Sequence, residues 1–308
     1  MSVLNKYAEM NEAFYDQLQT AGLEKHAADS VSEFTRSRVR EEGFYDKIIP
    51  EQQVSNSDLT RQVDTPKPVI VVDKEAESPA AVSMPFGSLP SNWYIRGPRY
   101  RVEFDRVLTR RFVSDLDELR TWQHDIRQVL SDNSVRDMLA EQDSKFLTAV
   151  NTALIGADEI NPLSGVVQWE TIYGGISRDT LEEAFAIMPK TPSHCEVATV
   201  LCNTITRRRV QAFTREEVGG DKSQEWFLKG WTTEEVMGVP WIFTIKRDLV
   251  PDDTIFMFGD PRFIGKNYVL EATTMHVKRE AFFIEWFAYK SLGGAIGHTG
   301  ALSRADFA

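Results

Sequence analysis

A chain of 308 residues is long enough for one large or two ordinary domains with a sizeable core. Hydrophobic residues at 42% and aromatics at 11% exclude an intrinsically disordered chain. A net charge of −11 argues against a sequence-reading nucleic-acid binder, which presents a basic stripe.

The N-terminal MSVLNKYAEMNEAF has neither the basic nor the apolar region of a signal peptide, and no apolar run in the chain approaches the roughly 18 residues of a membrane span. Residues 2–45 follow a helical period through Leu4, Tyr7, Asn11, Phe14 and Leu18, then through Ala27, Val31, Phe34 and Arg38. Gly22 reads as a break between two helices and Gly43 as an end. Two readings stay open: an amphipathic helix on its own domain, or an arm that docks on neighbours. Residues 46–68 are polar, closed by prolines and linker-like. Val69–Val72 is a β-branched run and predicts a strand.

An unusual excursion follows from Met84. Phe86, Trp93, Tyr94, Ile95 and Tyr100 share one segment with Gly87, Pro90, Gly97 and Pro98. It is too apolar for a solvated loop and too interrupted for a core strand. It needs a surface to lie on, and another copy of the chain is a natural candidate. The return limb alternates, with Tyr100, Val102 and Phe104 on one face and Arg101, Glu103 and Asp105 on the other. Ser114 reads as a helix cap with Asp115, Asp117 and Glu118 in the first turn. Leu116, Leu119, Trp122, Ile126, Val129 and Leu130 form an apolar stripe, which resumes from Val135 through Met138, Leu139, Phe146, Val150 and Leu154. Between the two halves, 131–134 reads as a hinge or second cap. Shorter elements come next: a helix over Asp179–Met188 capped by Ser177, a strand over Cys195–Leu201, a helix from Asn203 to Phe213 and a polar loop over 214–225. Strands are then predicted at Pro240–Ile245, Thr254–Phe258, Tyr268–Leu270, Met275–Arg279 and Phe282–Ala288, with Gly293, Gly294, Gly297 and Gly300 breaking the final stretch. This is an α+β pattern, not a doubly wound sheet.

Signals for catalysis are weak. His26, His124, His194, His276 and His298 are scattered, and neither HExxH nor CxxC occurs. Residues 219–223 (GGDKS) fail the P-loop spacing, and GAIGHTG at 294–300 is not a dinucleotide fingerprint. Glu216-Glu217 and Glu234-Glu235 are adjacent pairs suited to solvated faces. Cys195 and Cys202 predict buried, reduced thiols on opposite faces of one strand. No cofactor or metal site is expected. Charge is more informative. From Met84 to Arg111, six arginines (96, 99, 101, 106, 110 and 111) against Glu103 and Asp105 give +4, leaving −15 elsewhere. A basic segment on an acidic body suits head-to-tail self-association. No Lys occurs from Glu75 to Ser144, so every base there is Arg, the residue suited to bidentate carboxylate pairing.

This order of parts resembles the major capsid proteins of tailed bacteriophages, of the Hong Kong 97 fold. MNEAFYDQL…REEGFYDKIIP is similar to their N-terminal arm, and PFGSLPSNWYIRGPRYRVEFDRVLTRRF to their E-loop hairpin. DMLAEQDSKFLTAVNTAL is similar to the spine helix of the peripheral (P) domain, and the last ~55 residues to the closing strands. The resemblance implies an arm and linker over 1–68, a P-domain strand and E-loop over 69–112, and the spine-helix region over 113–160. An axial (A) domain over 161–265 and closing strands over 266–308 complete it. It implies a structural shell protein without enzymatic activity or cofactors, assembled in the host cytoplasm into hexamers and pentamers of a virion. Partners implied are a portal protein, scaffolding or decoration proteins and packaged double-stranded DNA, with no membrane. Inter-subunit contacts are expected at Trp93, Tyr94, Arg96, Arg99 and Arg101 of the E-loop and at Tyr7, Phe14, Leu18 and Phe34 of the arm. Some members cross-link through an E-loop lysine; this chain has none there, which implies a shell without isopeptide bonds. No large scaffolding domain is expected ahead of the linker. Rival readings are an encapsulin-like nanocompartment and an enzyme with a dispersed site.

Overall fold

The computed structural model describes residues 43–74, 83–87, 89, 97–115, 126–160, 167–213, 235–280 and 282–308. The helical pattern before residue 43, the excursion tip, the helix start at 116–125 and the polar loop at 214–225 lie outside these residues.

Residues 46–53 are part of the fold and not a linker, whereas 54–68 are exposed or half-buried and carry only a short 3-10 turn and one bridge, from Thr60 to Val69. Helix α1 (Tyr45–Ile48) is a single turn. Phe44, Tyr45, Ile48 and Ile49 are all buried, because this short apolar burst finds the long helix and the sheets to pack on. Strand β1 (Glu51–Gln53) then pairs in parallel with β11 (Gly265–Glu280), with Glu51 opposite Asn267.

Strand β2 (Val69–Asp73) pairs antiparallel with β3 (Arg99–Glu103), from Val69 opposite Glu103 to Asp73 opposite Arg99. The predicted alternation holds: Val102 and Phe104 are buried, Arg99 and Arg101 exposed. Strands β4 (Asp105–Leu108) and β5 (Phe112–Asp115) both pair with β12 (Phe283–Ile296). Ser114 therefore is not a helix cap; it sits opposite Ile284 in the sheet. Its local cap signal lost to pairing along an otherwise open strand edge.

Helix α2 (Ile126–Ile160) runs for 35 residues straight through the expected hinge at 131–134. Ser134 is fully buried, a small side chain in the packed face, while Asn133 is exposed, so the stretch is a continuous helical turn and not a break.

The first sheet has the order β1-β11-β12-β4, with β5 also on β12. The two strands expected within 268–279 are one strand, β11, kept continuous through register shifts between Val269 and Thr274. Gly293 and Gly294 lie inside β12 and do not break it. A Cβ on Gly293 would come within 2.9 Å of the Glu103 carbonyl oxygen, so glycine is there for close approach of backbones.

The second sheet has the order β6-β13-β10-β7-β9-β8, formed by β6 (Trp169–Ile172), β7 (Thr199–Asn203), β8 (Glu235–Val236), β9 (Val239–Thr244), β10 (Thr254–Phe258) and β13 (Leu302–Phe307). β10 reads TIFMF and is buried on both faces. Phe256 and Phe258 join Phe146, Val150 and Leu154 of α2; Ile255 and Met257 join Leu181, Ala184, Ile187 and Met188 of helix α3 (Arg178–Lys190). Both shorter helices open as predicted. Ser177 accepts from the Thr180 N–H, and Asn203 accepts from those of Ile205 and Thr206 at the start of α4 (Thr204–Gln211). Strand β7 starts at Thr199, later than expected. Cys195 thus precedes it and is half-buried, while Cys202 lies in it and is fully buried, so the two cysteines do not share a strand. Burial pushes the Cys202 thiol up to about 12, which keeps it protonated and inert.

Candidate functional site

Two surfaces concentrate exposed charged or aromatic groups. The first is the β2–β3 ribbon. Arg99 Nε donates to Asp73 Oδ1 at 2.8 Å, and Arg101 pairs with Asp64 and, at 2.9 Å, with Glu103. Lys67 lies 2.8 Å from Asp105, and that carboxylate raises the lysine's pKa. Several charges expected to meet another copy thus have partners in the same chain. Both members of the Arg99–Asp73 pair are at least 70% exposed. Such pairs contribute only about 0–1 kcal/mol and exchange readily. Trp93, Tyr94 and Arg96, and the arm residues Tyr7, Phe14, Leu18 and Phe34, lie outside the described residues.

The second surface is the tip and outer face of the β11–β12 hairpin. Along β12, Ile284, Trp286 and Ala288 point inward against Met138, Val107 and Met275. The alternate residues Phe283, Glu285, Phe287 and Tyr289 point outward, as strand periodicity requires. His276 and Phe287 rings lie 5.1 Å apart, Phe287 and Tyr289 6.2 Å apart, and the Arg106 guanidinium lies 5.6 Å from the Tyr289 ring centroid. Phe282 is 72% exposed at the tip, with Phe283 and Val113 about half exposed. Sequence reasoning placed a strand here but missed the exposed aromatics. The signal was AFFIEW, where two adjacent aromatics precede the alternation and so cannot both face the core.

Where α1, α2 and the hairpin meet, polar side chains are buried. Asp143 is fully buried; its Oδ1 accepts from the Tyr45 N–H at 3.2 Å and its Oδ2 from Lys246 Nζ at 2.6 Å. Burial raises its pKa, and the bond to Lys246 opposes that. A cavity of about 270 Å3 beside this junction is lined by Tyr45, Ile49, Phe146 and Leu292, with Glu103, Asp105 and Lys145 also in its wall. Among the described residues, no cluster of His, Cys, Asp and Glu could hold a metal ion.

No protein-family model and no curated protein matches the sequence. Solved structures do match in fold. One from Microbacterium phage Oxtober96 superposes with a TM-score of 0.59 at 11% identity, covering 87% of this chain and 91% of that one. The mature capsid of bacteriophage PhiM1 gives 0.57 at 8% identity, covering 83% and 85%. A virus-like particle from Pyrococcus furiosus gives 0.52 at 10% identity, covering 90% and 98%. At such identities the likeness shows fold. The chain is an α+β protein with the Hong Kong 97 capsid fold.

Proposed function

We propose that this chain is the major capsid protein of a tailed bacteriophage, a structural protein that self-assembles into the icosahedral shell of the virion. The observation that carries this reading is the superposition on the PhiM1 mature capsid, which takes in more than four-fifths of both chains. In this reading α2 is the spine of a P domain that also includes the long hairpin, the six-stranded sheet is the core of the A domain, and 69–112 contains the E-loop. Trp93, Tyr94, Arg96, Arg99 and Arg101, with Tyr7, Phe14, Leu18 and Phe34 of the arm, contact adjacent subunits in hexamers and pentamers. The exposed Arg99–Asp73 and Arg101–Asp64 pairs are the charges that can exchange partners on assembly. A portal protein, scaffolding or decoration proteins and packaged double-stranded DNA are the further partners, with assembly in the host cytoplasm.

Negative-stain microscopy of the expressed full chain, with any native scaffold supplied, is expected to show closed shells. A chain that stays monomeric at high concentration overturns the reading. A second reading, an encapsulin-like nanocompartment, is supported by the match to the virus-like particle from Pyrococcus furiosus. The contents of native particles separate the two: nucleic acid for a virion, cargo protein for a compartment.

A further inference from the structure

We propose that Asp46 is a proton-operated latch at the root of the N-terminal segment. With a proton on Oδ2 it donates to Glu51 and closes the junction between 44–53, α2 and the β11–β12 hairpin; without that proton, two carboxylates oppose each other beside one lysine and the junction loosens.

The geometry is specific. Asp46 Oδ1 accepts from Gln142 Nε2 of α2 at 2.8 Å and from Asn267 Nδ2 of β11 at 3.0 Å. Its Oδ2 is buried and finds no donor among the described residues. Glu51 of β1 is its acidic neighbour and pairs with Lys290 of β12, which is nearly inaccessible. Lys290 also lies 3.5 Å from Gln142 Oε1. Around these groups stand the Tyr45 phenol, whose pKa is raised by burial and by both carboxylates, and the Asp143–Lys246 pair. With both acids ionised, Asp46, Glu51 and Lys290 sum to −1 in a buried site; one proton makes them neutral. An unpaired buried charge is the costlier state. A protonated Oδ2 also gains the hydrogen bond that it otherwise lacks.

Burial, with the repulsion of Glu51 added and Lys290 opposing, lifts Asp46 from the usual carboxylate range to about 7. A folded-state pKa above the unfolded value means that the folded chain holds the extra proton. The stability this contributes is fully present below the unfolded pKa and is lost as pH rises through about 7. The inference concerns the subunit fold and stands whether or not the chain builds a shell.

The test is thermal melting of the full chain, followed by tryptophan fluorescence, across about pH 5 to 8.5, comparing the parent with Asp46→Asn. Asn keeps the Oδ1 acceptor and carries a permanent donor toward Glu51. The folding equilibrium of the parent is expected to weaken relative to the variant by up to about tenfold per pH unit between roughly pH 5 and 7. The variant then melts higher than the parent at the alkaline end. Glu51→Gln removes the opposing carboxylate and is expected to weaken the pH dependence without abolishing it, because the burial of Asp46 remains. A melting difference that is constant across pH overturns the proposal. So does an Asp46→Asn protein that cannot fold, because the neutral isostere is the state assigned to the closed latch.

Discussion

Gly294 and Tyr45 show how a single residue can be misread from its type. Glycines near the end of a strand pattern suggest a break, but Gly294 sits within the ladder, opposite Asn267 and two pairs from its end. Its missing Cβ leaves room for the Tyr45 hydroxyl, which a Cβ would strike. Tyr45 cannot easily withdraw, because it is buried and its ring stacks on Phe146 at 4.4 Å between centroids. Gly294→Ala is expected to cost about 1–3 kcal/mol, the usual range for overpacking. Adding Tyr45→Phe removes the struck oxygen and should recover much of that loss. Denaturant unfolding of both singles and the double closes the cycle, and strict additivity would show that the two do not touch. Asp46, Gln142, Asn267, Glu51 and Lys290 are harder to read in a sequence. Each is an ordinary polar residue in its own segment, and Glu51 and Lys290 stand 239 positions apart. No local period links them.

At the scale of elements, β10 and β12 behave in opposite ways. β10 is apolar at consecutive positions because packed layers cover both faces of its sheet. Phe258 is fully buried and its ring lies 5.8 Å from that of Phe146. Phe258→Ala is expected to destabilise the fold by about 3–5 kcal/mol. β12 is covered on one face by α2, and its outer aromatics meet solvent in the isolated chain. Phe282→Ala with Phe283→Ala should therefore leave thermal unfolding of the subunit within about 0.5 kcal/mol of the parent. If this tip joins subunits, the same pair should reduce particle yield, since buried aromatic anchors contribute about 2 kcal/mol or more at interfaces. Calorimetry and particle counting on the same preparation separate the effects; unchanged yield would make the tip a solvated end. The long helix carries a related lesson. Ser134, Gln142 and Asp143 interrupt its apolar stripe, yet all three are buried. A hydropathy pattern counts them as surface, whereas in the fold Gln142 meets Asp46 and Lys290 and Asp143 meets Tyr45.

For the whole molecule, the proposed shell has a chemical consequence readable from composition. An isopeptide bond from the E-loop needs an amine, and Glu75–Ser144 contains none. Particles boiled in detergent under reducing conditions should run as one band at 35.1 kDa; a ladder of covalent oligomers would contradict this. The α+β class, the β3 alternation, the helix starts at Ser177 and Asn203 and the β9 and β10 strands were legible in the chain, because each is a local signal that packing reinforced. The order of those parts was enough to suggest the capsid fold. Other features depended on what lies across the fold. Ser114 became strand because β12 offered an edge, and 46–53 docked through Ile48, Ile49 and the β1 pairing because α2 and β11 offered a surface. Gly293 and Gly294 stayed in register because backbone and a tyrosine approach them closely. The buried Asp46 junction arose because four segments distant in the chain converge on one point. Propensity and periodicity act over a few residues, so they specify elements. Burial, charge pairing and close approach are properties of neighbours in space, and only the folded chain supplies those.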